Sequence, residues 1–144
     1  MTRDLRFEEI YPFPPERLWR ALTEPEAIAD WLMPNDFQPV VGHKFQFRSK
    51  PQPGWDGIVN CEVLEIEPPR VLAYRWVGAN GAVDTVVRYT LAPEGEGTRM
   101  VLEHTGFRGA KSVAVSFILG SGWKGIVQQK IPAAVARLGN QGGH

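Results

Sequence analysis

The sequence has a single cysteine, Cys61, only three histidines, and no surplus of charge, with 16 Lys and Arg against 16 Asp and Glu. One cysteine excludes an internal disulfide framework and any multi-cysteine zinc site. Cys61 lies in the strand-like run Ile58-Val59-Asn60-Cys61-Glu62-Val63, where a free thiol reads as a small buried hydrophobe. The basic residues, Arg3, Arg17, Arg48, Arg70, Arg99 and Lys111 among them, are scattered along the chain. They form no stripe that would displace counterions from a polyanion, so no nucleic-acid partner is expected. No segment approaches the roughly 20 apolar residues that a membrane span requires. The opening Met1-Thr2-Arg3-Asp4-Leu5-Arg6 is polar and lacks the apolar run of a secretory signal, so a cytoplasmic location is expected.

Recognisable catalytic sets are also missing. His43 lies at a turn, His104 at a strand end and His144 at the terminus; none has a partner at metal-ligand spacing, so neither metal nor cofactor is expected. Ser49, Ser112, Ser116 and Ser121 lack the G-x-S-x-G context of a nucleophile elbow. Gly120-Ser121-Gly122 has no following Lys-Ser/Thr in phosphate-loop register. No catalytic residue is assigned. Three groups remain as sources of acid or base chemistry: His104, Glu62 and Asp84. The two carboxylates sit mid-strand and read as outer-face positions, because buried carboxylates without partners are rare. His104 continues the face of Met100 and Leu102. It reads either as a cavity group that bonds a ligand or moves a proton, or as a cap on a buried polar group near Thr105-Gly106.

What is present is a run of short strands followed by one long helix. At 144 residues the chain makes one domain, spanning 1–138, able to bury about two-thirds of its unfolded surface. Alternation places a first strand at 5–11. Pro14-Pro15 and Pro25 then open two short helices, 16–23 and 26–31. Further strands fall at 42–49, 55–67, 71–77, 83–92 and 98–104. The alternation slips at Val63-Leu64, which predicts a β-bulge, and Gly78-Ala79-Asn80-Gly81 has the composition of a hairpin turn with positive φ angles. From Trp123 the apolar residues Ile126, Val127, Ile131, Ala134, Val135 and Leu138 fall at helical spacing. Pro132 is expected to kink that helix or interrupt its bonding. The segment 106–122 stays open: Ser112 is suited to cap an early helix, but Gly120, Gly122 and Gly125 weaken one. The tail 139–144 is expected to be disordered.

The ordered set Pro14-Pro15-Glu16-Arg17-Leu18-Trp19-Arg20-Ala21-Leu22-Thr23-Glu24-Pro25, Trp31, Gly57, Glu65-Ile66-Glu67-Pro68-Pro69-Arg70-Val71-Leu72, Trp76, Gly97-Thr98-Arg99, His104-Thr105-Gly106-Phe107 and Gly122-Trp123 resembles the START-like (SRPBCC, Bet v 1-like) superfamily. Within it, the set is most like the branch named for the activator of the heat-shock-protein-90 ATPase. The resemblance covers about 3–138. It implies an α+β helix-grip fold: a curved antiparallel sheet of about six strands, two short helices and a long C-terminal helix enclosing a cavity. Two departures stand out, Gly42-His43 where the pattern often has two glycines, and Pro132 in a helix that normally runs unbroken. Relatives carry histidine at the position of His104 across unrelated roles, which favours its structural reading. Their activities range from lipid carriage to polyketide cyclisation and co-chaperone work, so the fold alone does not choose among them.

The aromatic content then points to a binding module for a small hydrophobic or aromatic molecule. Phe47, Tyr74, Trp76, Tyr89 and Trp123 are the expected ligand contacts, with His104 as the polar one. A polyketide cyclase-like enzyme is the alternative. A co-chaperone-like interaction module comes third, and a chaperone partner is disfavoured because that role in the family is tied to additional domains. A homodimer stays open, since an exposed apolar patch would mark it.

Overall fold

A computed structural model describes residues 1–141. Six strands form one antiparallel sheet in the order β1-β6-β5-β4-β3-β2: β1 Thr2–Tyr11, β2 Lys44–Arg48, β3 Ile58–Glu67, β4 Val71–Gly78, β5 Val83–Glu94 and β6 Gly97–Arg108. Each of β2 to β6 pairs with its neighbour in sequence, and β1 closes onto β6. The helices are α1 Pro15–Thr23, α2 Pro25–Trp31, α3 Ala110–Gly125 and α4 Ile131–Gln141. This is the helix-grip α+β architecture, with the core between the sheet's concave face and the C-terminal helix.

Alternation along the strands decides which side chains enter that core. Phe45 and Phe47, then Leu72, Tyr74 and Trp76, then Thr85, Val87, Tyr89 and Leu91 all point inward and are buried. The register of β3 against β4 shifts between Val63 and Glu65, the bulge expected there, and it curves the sheet toward the helix. At the β4–β5 turn, Ala79, Asn80 and Gly81 all take positive φ. Cys61 is buried with a free thiol. Burial raises that thiol well above its ordinary pKa.

Three expectations are corrected. The strand ending at His104 in the sequence reading runs on to Arg108, because β6 keeps pairing with β1 after it has left β5 at Thr105. His104 is therefore a mid-strand residue with no turn beside it. Second, the C-terminal helix starts at Ala110, preceded by Gly109 with φ 85° rather than by a serine cap. Ser112 and Ser116 face inward within it, and both are buried. Arg3 holds this segment to β1 by donating to the Ser116 hydroxyl at 3.1 Å and stacking over Phe117 at 3.6 Å. Third, α4 continues through Gln141, which removes 139–141 from the expected disordered tail; His144 and the rest of that tail lie outside the described residues. Arg17 lies against this helix, its guanidinium donating to the carbonyls of Val135 and Ala136, both at 3.2 Å.

Pro132 does not end the helix. A π turn, Ile126–Lys130, joins α3 to α4, and the Ile131 N–H bonds the Ile126 carbonyl five residues back. Widening of this kind accommodates a proline ring that would strike an ordinary α-helical turn. The expected apolar stripe survives it: Trp123, Val127, Ile131, Ala134, Val135 and Leu138 are all buried, and Ile126 is half-buried.

Candidate functional site

The six aromatic and imidazole side chains singled out by sequence come together as one packed group. Ring centroids lie 5.6 Å apart for Phe47 and Trp76, 5.3 Å for Trp76 and His104, 5.9 Å for Trp76 and Trp123, and 5.8 Å for Tyr74 and Tyr89. None is more than 3% exposed. The two tyrosine hydroxyls bond each other at 2.6 Å, and burial pushes both phenols above their ordinary pKa.

His104 sits in a closed chain of hydrogen bonds whose direction follows from the donors. The Trp123 indole N–H donates to His104 Nδ1 at 3.0 Å. An indole nitrogen can only donate, so Nδ1 must carry a lone pair and the ring proton of neutral His104 resides on Nε2. Nε2 then donates to the Thr85 hydroxyl at 2.7 Å, and that hydroxyl donates to the Trp76 carbonyl at 2.9 Å. Every polar atom of the chain is used. Burial lowers the His104 pKa from 6.5 to about 3. The imidazole is thus a neutral bridge between β5, β6 and the helix, with no free nitrogen to offer a reactant.

The other two acid-base candidates face outward. Asp84 is half-exposed and paired with Arg75, whose guanidinium donates to both carboxylate oxygens at 2.9 and 2.6 Å. That hydrogen bonding holds its pKa below the usual carboxylate value. Glu62 lies on the side of β3 opposite buried Cys61 and Val63. A cavity of about 450 Å³ on this side is lined by Arg75, Asp84, Thr85, Thr105 and Arg108, and also by Ser112. Among the described residues no group of three or more His, Cys, Asp or Glu is placed to hold a metal ion.

Open space of a different character lies under α3. A cleft of about 420 Å³ separates that helix from the β4–β5 turn and the loop before β3. Its walls include Trp55, Val59, Trp76, Val83, Val115 and Leu119, with Lys111 at its edge. Val115, Ile118 and Leu119 stand at i, i+3 and i+4 on α3, so one helical stripe lines the cleft, with Val115 and Leu119 also packed against the edge of the core. Trp55 spends its indole N–H on the Ile58 carbonyl at 3.2 Å. The Trp76 indole nitrogen finds no partner among the described residues. Gly78 is beside it, so close that an added Cβ would touch that nitrogen at 3.4 Å.

Of the six expected contacts, only Trp76 lines this cleft. Phe47, Tyr74, Tyr89, His104 and Trp123 form the layer behind it. The residues missed by the sequence reading are those on α3 and on the loop carrying Trp55. The spacing of Val115, Ile118 and Leu119 was available as a signal, but buried Ser112 and Ser116 on the adjoining flank of the helix conceal it.

The profile of the family described as activator of Hsp90 ATPase homolog 1-like protein matches residues 12–136. The chain belongs to this family. Among solved structures it is similar to protein MLL2253 of Mesorhizobium loti, with 37% identity and a TM-score of 0.83 over 94% of this chain and 98% of that one. Protein BH1534 of Bacillus halodurans is 27% identical, with a TM-score of 0.77 over 94% and 99%. The Aha1 dimer of Colwellia psychrerythraea, at 16% identity and a TM-score of 0.69 over 86% and 90%, shares the fold. No curated protein matches the sequence. Among the described residues no helix is long and apolar enough to cross a membrane.

Proposed function

We propose that this protein binds a small hydrophobic or aromatic molecule in the cleft beneath α3. The observation that carries the reading is an unpaired Trp76 N–H in the wall of a mostly apolar cleft of ligand size. Apolar walls with one or two placed polar groups are the usual form of a small-molecule site. The layer of Phe47, Tyr74, Tyr89, His104 and Trp123 fixes the Trp76 ring from behind, so the donor is already oriented before a ligand arrives. Membership in a family of helix-grip domains supports a binding module. An enzymatic reading has less support, since His104 is committed to its bridge and Glu62 and Asp84 face away from the cleft.

The test is a titration of isotope-labelled protein with lipids, flavonoids and polyketide-like aromatics, followed by amide and indole NMR signals. Shifts are expected at Trp55, Val59, Trp76, Val115 and Leu119, with the Trp76 indole signal moving most. Perturbation confined to the outer sheet face, or no perturbation by any compound of the panel, would defeat the proposal.

A further inference from the structure

The polar side chains of the cleft are all of one kind. Its wall offers the Trp76 N–H and, at the edge, the Lys111 ammonium, both hydrogen-bond donors. The third polar side chain, Trp55, has its donor occupied. No carboxylate, hydroxyl or side-chain carbonyl lines the space. Lys111, like the other lysines, makes no ion pair among the described residues, so its charge is available at the cleft. It is also the second residue of α3, where the helix dipole adds positive potential. A ligand with a donor or a cation would enter this cleft without a side-chain acceptor to meet it, at the cost of hydrogen bonds it had in water. A ligand whose apolar body ends in an anionic acceptor loses none.

From this one-sided chemistry we infer that the ligand class is an amphipathic monocarboxylate, its hydrocarbon or aromatic body in the cleft and its carboxylate toward Lys111. The inference rests on the cleft being the binding site, as proposed above. Being solvent-exposed, Lys111 contributes selectivity rather than most of the affinity, since a surface charge pair is worth little. The apolar walls supply the rest.

Three probes with one ten-carbon chain separate the two claims: decanoate, decanol and decylamine, titrated at pH 7.5 and followed by the Trp76 indole signal. Decanoate is expected to bind roughly three- to tenfold more tightly than decanol, with decylamine weakest, as suits one exposed ion pair. Lys111→Met should bring decanoate down to decanol while leaving decanol unchanged. Added salt should narrow the difference in the parent protein. Equal binding of decanoate and decanol, or a preference that persists in Lys111→Met, would overturn the carboxylate assignment and leave the cleft as a site. Absence of binding by all three, in protein whose spectrum shows an intact fold, would overturn both. Because Lys111 is exposed on the first turn, its replacement by methionine does not threaten folding.

Discussion

The hydroxyl of Tyr11, at the end of β1, donates to the backbone carbonyl of Val127 at 2.6 Å across the core. The bond answers a vacancy made by a proline. In the π turn, Ile131 donates to Ile126, and by the same spacing residue 132 would donate to Val127. Residue 132 is Pro132, which has no N–H. A buried carbonyl without a donor costs about 1–3 kcal/mol, and Tyr11 removes that cost from the other side of the fold. The helix thereby keeps its path over the sheet through a residue that would usually break it.

Tyr11→Phe should destabilise the protein by about 1–3 kcal/mol in urea unfolding, the penalty of an orphaned buried carbonyl. In a Pro132→Ala background the new N–H at 132 can serve the turn, and the cost of Tyr11→Phe should fall by at least half. An equal cost in both backgrounds would show that the two residues do not act on one carbonyl.

The His104 bridge predicts a pH dependence of stability. Its folded pKa is held near 3 by burial, against 6.5 when unfolded, so between these values the unfolded chain binds a proton that the folded one refuses. Stability from this group is present above pH 6.5 and is lost as pH falls, at up to about 1.4 kcal/mol per pH unit. Unfolding free energies measured from pH 6.5 to 5 should show this slope. In His104→Leu the slope should be much shallower, although the variant is less stable throughout because Trp123 and Thr85 lose their partner. An unchanged slope would mean that His104 is protonated in the fold.

Gly139 and Arg17 are coupled by contact. An added Cβ at 139 would collide with the Arg17 guanidinium, so Gly139→Ala must move it off the Val135 and Ala136 carbonyls. Alanine itself favours a helix over glycine by about 1 kcal/mol. The two effects should nearly cancel in the parent protein, while in Arg17→Ala the same substitution should stabilise by about 0.5–1 kcal/mol. Thermal unfolding of the four proteins of this cycle decides it; additive effects would contradict the contact.

The Ser112 hydroxyl is cut off from solvent and has no hydrogen-bond partner among the described residues, unlike the Trp76 N–H, which reaches the cleft. The hydroxyl is desolvated for no bond, so Ser112→Ala should stabilise by about 1 kcal/mol. Binding of decanoate should not change, since Ser112 is not on the wall of the cleft. Destabilisation would show that the hydroxyl has a partner after all.

Some of this protein was readable in its residues, and the reason is periodicity. Alternation at Phe45 and Phe47, at Tyr74 and Trp76, and at Val87 and Tyr89 marks strands with one buried face, and the stripe from Trp123 to Leu138 marks a helix against them. Prolines at 15 and 25 start the short helices because their missing N–H is not needed there. The segment holding α3 did not declare itself, because its pattern is inverted. Ser112 and Ser116 are buried, while Phe117 and Ile118 are 61% and 73% exposed. A rule that places apolar residues inward cannot read a helix that roofs an open cleft.

The site followed the same division. Composition and alternation were enough to bring Phe47, Tyr74, Trp76, Tyr89, His104 and Trp123 onto one interior face, since neighbouring strands of a meander share it. Which of them meets open space depends on where α3 crosses the sheet, and that is set by contacts distant in sequence, such as Arg3 with Ser116. The same holds for the tautomer of His104, which Trp123 dictates from 19 residues away, and for the path of the helix through Pro132, which Tyr11 secures from β1. Local sequence determined the elements and their inward faces through propensity and period. Only the tertiary structure decided which inward groups are spent on one another and which, like the Trp76 N–H, have no partner among the described residues, because a donor's partner is a matter of distance in space.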